Sequence, residues 1–166
     1  MKILYYGGQR SGKSRLAEEE AESIKKDKIP VYIATYDNTY DDKEMQERIK
    51  YHQIRRGERF KTVCEPFRLS SVIKEGGVYL IDCLGMWLLN AMERKLSDKE
   101  ILKEIEKVLK IDADIVFVLN EVGSGISPAE RYSRRYIDLS GLTGQMVAKE
   151  ADRVYHVVLG IKKRLK

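Results

Sequence analysis

The chain has 166 residues, of which 43% are hydrophobic and 34% charged, and this composition favours a globular protein over a disordered one. No apolar run approaches the roughly 20 residues that span a bilayer, and the N-terminus has no signal-like segment. The net charge of +5 suits an anionic ligand but does not by itself indicate nucleic acid. We therefore expect one cytoplasmic domain over residues 1–166, with no membrane span and no nucleic-acid partner.

Strand-like and helix-like segments alternate along the chain. The strand candidates are, in order, KILYY, VYIATY, VYLIDCL, DIVFVLN and RVYHVVLG. The helical patterns cover 15–25, 42–55, 84–95, 98–110 and 129–151. Near-continuous Val/Ile/Leu runs are typical of parallel strands covered on both faces. The order predicts a three-layer α/β domain with a mostly parallel sheet, helices on both faces and a ligand site at the carboxyl ends of the strands.

The segment between the first strand and the first helix reads GGQRSGKS and fits the phosphate-loop pattern G-x-x-x-x-G-K-[ST]. Its glycines permit backbone turns that direct successive N–H groups inward, and the following helix N-terminus adds partial positive charge. A polyphosphate is the expected ligand, with Lys13 reaching the terminal phosphates and the Ser14 hydroxyl binding Mg²⁺. The predicted nucleotide contacts in this loop are Gly7, Gly8, Gln9, Arg10, Ser11, Gly12, Lys13 and Ser14.

A second candidate is Asp82, which ends the strand VYLID. A carboxylate at this edge of the sheet can bind Mg²⁺ through water, or it can cap the helix that begins near Leu84. The phosphate loop in the same chain favours the metal role. Glu121, which follows the strand DIVFVLN, is a rival for that role or for activating a nucleophile.

The third candidate is His52, within the helical pattern DDKEMQERIKYHQIRR. On a helix it shares a face with Met45 and Ile49, which is typical of a packed core histidine. The alternative is a nucleophile or an acid/base group. The flanking arginines suit phosphate chemistry or a solvated surface, and they are Arg48, Arg55, Arg56 and Arg59. The residue pattern alone leaves both interpretations open.

Taken together, these segments resemble the bifunctional adenosylcobinamide kinase/adenosylcobinamide-phosphate guanylyltransferase family of cobalamin biosynthesis. The resemblance covers almost the whole chain, and its most specific parts are EMQERIKYH and NEVGSGISP. It extends to LIDCLGMWLLN, RYIDLSG and ADRVYHVVLGIKKRLK. It implies a RecA-like P-loop fold and a homotrimer with sites near the subunit boundaries.

The resemblance also implies two reactions. In the first, ATP or GTP phosphorylates the aminopropanol hydroxyl of adenosylcobinamide. In the second, His52 matches the histidine that attacks the α-phosphorus of GTP and forms a covalent GMP-histidine, from which adenosylcobinamide phosphate takes GMP. By the same matching Thr35 and Tyr36 line the nucleotide site, Arg56 is a basic contact, and Asp82 is the acidic residue of the second motif. His52 and Lys13 are the implied catalytic residues, with GTP, ATP and Mg²⁺ as ligands.

Some positions depart from the family pattern. Cys64 stands where an acidic residue is frequent, Ile137 replaces a frequent arginine, and Gly144 replaces an asparagine. These changes concern the corrinoid side of the site and the balance between the two activities. Two alternatives use the same phosphate loop: a small-molecule kinase without the transferase step, and a RecA-like nucleic-acid ATPase or nucleotide sensor. The chain has no Lys/Arg stripe interleaved with aromatics to support a nucleic-acid partner.

Overall fold

The computed structural model describes residues 1–25, 27–37, 47, 50, 54 and 56–166. Seven strands in this part of the chain form one sheet: β1 (Lys2–Gly7), β2 (Val31–Ala34), β3 (Lys61–Cys64), β4 (Val78–Asp82), β5 (Asp114–Asn120), β6 (Arg153–Val158) and β7 (Ile161–Arg164). All five predicted strands are present. Most of the predicted helix over 42–55, including His52, lies outside the described residues.

The strand order across the sheet is β3-β2-β4-β5-β1-β6-β7. Every neighbouring pair is parallel except β6 and β7, which are antiparallel. Strand β5 lies between β1, which leads into the phosphate loop, and β4, which ends at Asp82. The carboxyl ends of these strands therefore meet at one edge of the sheet.

Helices cover both faces of the sheet. They are α1 (Lys13–Ser23), α2 (Leu69–Val72), α3 (Leu84–Glu93), α4 (Asp98–Lys110) and α5 (Arg131–Glu150). On one face α1 packs over a core that includes Tyr5 and Val118, and on the other α3, α4 and α5 enclose Phe117 and Trp87. This arrangement confirms the predicted three-layer α/β domain, with a mostly parallel sheet and helices on both faces. Helix α4 begins with the reciprocal capping box of Ser97 and Glu100, which explains its sharp start.

The sequence patterns missed β3, β7 and α2. The four residues of β7 read IKKR and are all exposed, so they carry no apolar alternation. Strand β3 is equally short and mostly exposed at the other edge of the sheet, where it ends at the exposed Cys64. Both strands exist because their neighbours offer an unpaired edge.

A buried charged cluster joins α1 to the β1, β6 and β7 strands. The Glu20 side chain is 7% exposed and accepts hydrogen bonds from the Tyr5 hydroxyl at 2.7 Å and the Lys162 ammonium at 3.3 Å. Arg153 adds a third donor, with 2.8 Å between Nη1 and the other carboxylate oxygen. Because its charge is paired and hydrogen-bonded, Glu20 can be buried at an acceptable cost.

The carboxylate of Glu20 should make folding stability depend on pH. Burial acts to raise its pKa, but hydrogen bonds from Tyr5 and Lys162 and the charges of Lys162 and Arg153 together lower it. A lowered native pKa means that the contribution is complete at neutral pH and is lost as the pH falls through the native value. We expect Glu20→Gln to destabilise the protein by about 1–3 kcal/mol at pH 7, with a smaller difference from wild type near pH 3.5.

Urea denaturation at the two pH values measures this difference. The matched control is Glu19→Gln, since Glu19 forms an exposed pair with Arg15 and should change stability by less than about 1 kcal/mol. An equal loss of unfolding free energy in Glu20→Gln at both pH values would contradict a lowered pKa for the Glu20 carboxyl.

Candidate nucleotide-binding site

The loop between β1 and α1 presents a helix N-terminus to solvent at the carboxyl edge of the sheet. Gly12, with φ at 94°, is the N-cap of α1, and in the described part of the chain no side chain caps this helix. The first turn of α1 contains no acidic residue. Several N–H groups at this end therefore lack an intrahelical partner, and the helix dipole favours an anion there.

Packing explains one of the loop glycines. A Cβ atom at Gly7 would collide with the carbonyl oxygen of Val157 on the neighbouring strand, whereas a Cβ at Gly8 would meet nothing within 4 Å. Arg10 adopts a left-handed conformation, with φ at 57°. The loop is therefore tightly seated on β6 at its start and open at the next residue.

Lys13 lies at the first position of α1 and is only 6% exposed. Its ammonium donates a hydrogen bond to the Gly8 carbonyl oxygen at 3.0 Å, which folds the side chain back across the loop. The hydroxyl of Ser11 is also buried. Ser14 is half-buried in the first turn of α1, and Gln9 and Arg10 are exposed. The predicted loop residues are thus brought together around one helix end.

Asp82 ends β4, and its carboxylate accepts a hydrogen bond from the Tyr32 hydroxyl at 2.9 Å. The structure does not use Asp82 as the N-cap of α3. That position belongs to Cys83, whose Sγ accepts from the Met86 N–H at 3.5 Å. Burial raises the pKa of the Cys83 thiol to about 11, with a further contribution from the Asp82 charge. Cys83 is therefore a protonated thiol at neutral pH.

Arg56 packs against Tyr32, close to the carboxylate of Asp82. Its guanidinium carbon lies 3.5 Å from the centroid of the Tyr32 ring, and the side chain is 2% exposed. Its Nε and Nη1 are buried without a hydrogen-bond partner in the described part of the chain. A buried cation with unpaired donors is costly, and an anionic ligand would satisfy them. This is an independent indication of an anion site beside Asp82.

Thr35 holds the end of β2 against the Asp82–Cys83 segment. Its hydroxyl donates to the Cys83 carbonyl oxygen at 2.8 Å and accepts from the Cys83 N–H at 3.0 Å. The side-chain amide of Asn90 donates to the Thr35 carbonyl oxygen at 2.6 Å. The fully buried Thr35 therefore positions Asp82, and the half-buried Tyr36 follows it toward the edge of the site.

Glu121 follows β5, the strand between β4 and β1, and the sequence did not predict its main partner. Its N–H donates to the Gly7 carbonyl oxygen at 2.8 Å. Its carboxylate lies 3.1 Å from His156 Nε2 and accepts from the Ser124 hydroxyl at 2.9 Å. Hydrogen bonds from His156 and then Ser124 lower the pKa of Glu121. The sequence could have indicated this pair only through position, because Glu121 and His156 lie toward the carboxyl ends of the two strands that flank β1.

Two departures from the family pattern have packing roles. A Cβ at Gly144 would lie 3.1 Å from Leu119 Cδ2, so this glycine lets α5 approach β5 closely. A Cβ at Gly123 would lie 2.7 Å from a methyl group of Ile137, which places Ile137 beneath the loop after β5. Both residues support the region next to Glu121 through apolar contacts.

The described residues contain no cluster of three or more His, Cys, Asp or Glu side chains able to hold a metal ion. His52, Arg48 and Arg55 lie outside the described residues, so their predicted roles stay predictions. No helix in the described part of the chain is long and apolar enough to cross a membrane.

Comparison with known proteins gives matches along the full length. Residues 3–165 match the family described as cobinamide kinase / cobinamide phosphate guanyltransferase. The chain is 36% identical to the bifunctional adenosylcobalamin biosynthesis protein CobP of Pseudomonas aeruginosa, covering all of this chain and 98% of that protein. It is 34% identical to the bifunctional adenosylcobalamin biosynthesis protein CobU of Escherichia coli, covering all of both chains.

Another relative is the Salmonella typhimurium protein of the same name, which is 34% identical with full coverage of both chains. Among solved structures, the flagellar accessory protein FlaH from Methanocaldococcus jannaschii superimposes with a TM-score of 0.48 at 14% identity. That superposition covers 99% of this chain and 77% of the FlaH chain.

The two adjacent loop glycines allow a matched test of the loop geometry. We expect Gly7→Ala to destabilise the protein by about 1–3 kcal/mol and to reduce nucleotide binding strongly, because its new methyl group displaces the loop from Val157. Gly8→Ala should change stability by less than about 0.5 kcal/mol, since its methyl group meets open space. Thermal unfolding and titration with a fluorescent GTP analogue measure both effects. An equal loss of stability in Gly7→Ala and Gly8→Ala would contradict the close contact between Gly7 and Val157.

Proposed function

The chain belongs to the cobinamide kinase / cobinamide phosphate guanyltransferase family, a family of transferases, and on that premise we propose that it is bifunctional. It phosphorylates adenosylcobinamide and then transfers GMP from GTP to adenosylcobinamide phosphate, giving adenosyl-GDP-cobinamide. The observation that carries this proposal is the uncapped, glycine-lined N-terminus of α1 in a chain that matches the family over residues 3–165.

In the kinase step the substrate hydroxyl attacks the γ-phosphorus of ATP or GTP, and the bond to the bridging oxygen of the diphosphate breaks. The N–H groups at the start of α1 hold the phosphates in line for this attack. The Lys13 ammonium, which donates to Gly8 in the structure, exchanges that carbonyl for phosphate oxygens. Ser14 and Asp82 would hold Mg²⁺ together with phosphate oxygens, and Mg²⁺ supplies neutralisation of the developing charge.

In the transferase step a nitrogen of His52 attacks the α-phosphorus of GTP and the bond to pyrophosphate breaks. An oxygen of adenosylcobinamide phosphate then attacks the same phosphorus and frees the histidine. The position of Arg56 supports this assignment. Its buried guanidinium lies beside Tyr32 and Asp82, so the chain reaches the site only four residues after His52. The unpaired donors of Arg56 suit the charge of the departing pyrophosphate.

Asp82 is the better metal candidate of the two acidic residues. In the described part of the chain the Asp82 carboxylate accepts a hydrogen bond from the neutral Tyr32 hydroxyl, whereas Glu121 is engaged by both His156 and Ser124. Glu121 therefore stabilises the adjacent loop in this proposal. The proposed homotrimer is inferred from the family resemblance. The expectation of no nucleic-acid partner is inferred from the pattern of Lys and Arg in the sequence.

Labelled GTP distinguishes this proposal from a kinase that lacks the transferase step. We expect α-labelled GTP, but not γ-labelled GTP, to leave acid-labile, alkali-stable label on the wild-type chain after denaturing electrophoresis. His52→Ala should remove this label, because the nucleophilic nitrogen is gone. The matched control is His156→Asn, which changes the other histidine of the chain and should retain the label. A wild-type chain without α-label, or a His52→Ala chain that keeps it, would overturn the covalent step.

A second test concerns the site shared by the two reactions. We expect Lys13→Ala to lower the turnover of both phosphoryl and guanylyl transfer by about 100-fold or more, since each needs the phosphates held and neutralised. Lys110→Ala is the control, because this exposed lysine pairs with Glu106 on α4 away from the loop. Steady-state assays of each reaction measure the effect. Loss of only one activity in Lys13→Ala would show that the reactions use different sites.

A further inference from the structure

The hairpin formed by β6 and β7 touches the phosphate loop at three positions. The N–H of Gly160, in the hairpin turn, donates to the Ser11 carbonyl oxygen at 2.8 Å. A Cβ at Gly12 would lie 3.2 Å from the Gly160 Cα. The start of the loop at Gly7 is packed against the Val157 carbonyl, two residues before the turn. The hairpin thus forms a wall along the outer side of the loop.

The turn itself has two consecutive left-handed residues. Leu159 has φ at 51° and Gly160 has φ at 79°, between the paired residues Val158 and Ile161. This is the backbone of a two-residue hairpin turn, which is strongly favoured when its second residue is glycine. A Cβ at Gly160 would meet nothing within 4 Å. The constraint at Gly160 is therefore its backbone conformation and not the space around it.

Close to the turn, strand β7 is also fixed to α1, the helix that follows the phosphate loop. Lys162 on β7 donates to Glu20 of α1 at 3.3 Å and to the Tyr5 hydroxyl of β1 at 3.2 Å. Its ammonium also lies 4.8 Å from the centroid of the Tyr155 ring. Because Glu20 is nearly buried, this contact anchors β7 to α1. The turn is consequently held at a fixed position relative to the helix N-terminus.

The hydrogen bond to Ser11 has a consequence for the next amide. The Ser11 carbonyl and the Gly12 N–H belong to one planar trans peptide, so they point in opposite directions. Holding the carbonyl outward on the hairpin directs the Gly12 N–H to the opposite side of the loop. Without this contact the peptide could rotate and present a carbonyl oxygen to the phosphates, which would repel an anion.

We propose that the β6–β7 turn is a positioning element for nucleotide binding, and that Gly160 acts through Ser11 to keep the phosphate loop in its anion-receptive conformation. The proposal goes beyond the proposed function and uses it only in taking GTP as the probe ligand. It predicts that a change at Gly160 affects the loop specifically, beyond any general loss of stability.

The test compares Gly160→Ala with Gly160→Asn and Gly76→Ala in the full chain. Alanine tolerates a left-handed backbone poorly, whereas asparagine adopts it more readily. Gly76 is the matched control, with φ at 67°, because it lies before β4 at the opposite edge of the sheet. Two measurements are made on each variant: hydrogen exchange of the peptide that contains residues 7–14, without nucleotide, and the dissociation constant of a fluorescent GTP analogue.

We expect Gly160→Ala to speed exchange in the loop and to weaken GTP binding by about fivefold to tenfold. Gly160→Asn should return the loop exchange rate and the GTP affinity most of the way to the wild-type values. Gly76→Ala should leave the exchange rate and the affinity within about twofold of wild type, despite a fall in melting temperature similar to that of Gly160→Ala. Equal exchange and affinity in Gly160→Ala and Gly76→Ala would overturn the proposal. The exchange measurement needs no nucleotide, so it decides the matter even if the chain forms no GMP-histidine.

Discussion

The site depends on the backbone N–H groups at the beginning of α1, which need acceptors and are given no side-chain cap in the described structure. A helix end of this kind binds an anion because several donors and the helix dipole act on one position. The surrounding chain keeps this end open. Gly12 makes the left-handed turn into the helix, and Lys13 folds across the loop without capping it. An anion at this position would accept hydrogen bonds from the N–H groups that no side chain caps.

The charges around this helix end follow from the parallel sheet. The carboxyl ends of β1, β4 and β5 meet at one edge, which brings Asp82 and Glu121 to the ends of adjacent strands on the same side of the phosphate loop. Each carboxylate has a distinct environment. Asp82 accepts from the Tyr32 hydroxyl, the buried guanidinium of Arg56 is stacked on the Tyr32 ring, and Glu121 pairs with His156. The end of β4 therefore combines a carboxylate with a buried cation, an arrangement that suits the proposed phosphate transfer with a metal ion.

Much of this could be predicted from the sequence because its signals are local. The loop pattern and the five apolar strand runs each occupy a few consecutive residues, so the mostly parallel sheet and the loop between β1 and α1 could be predicted from them. The outer strand β7 could not be predicted, since its polar residues form a strand only through pairing with β6. The contact of Gly160 with Ser11 joins residues far apart in the chain and follows from the tertiary fold.

Other features of this region also needed the structure. A sequence pattern cannot separate Asp82 from Cys83 as the cap of α3, because the two differ by one position and by backbone conformation. The partner of Glu121 required knowledge of strand register across the sheet. Gly144 and Ile137 departed from the family pattern in sequence, and the structure gives both a packing role beside β5. The role of His52 stays a prediction, which only chemistry on the protein can decide.

We expect the phosphates, held by the start of α1, to anchor the nucleotide. Isothermal titration calorimetry with GTP, repeated in the presence of inorganic tripolyphosphate or of guanosine, tests this expectation most directly. Tripolyphosphate should compete with GTP, and guanosine at the same concentration should compete only weakly. Strong competition by guanosine, with none by tripolyphosphate, would contradict it.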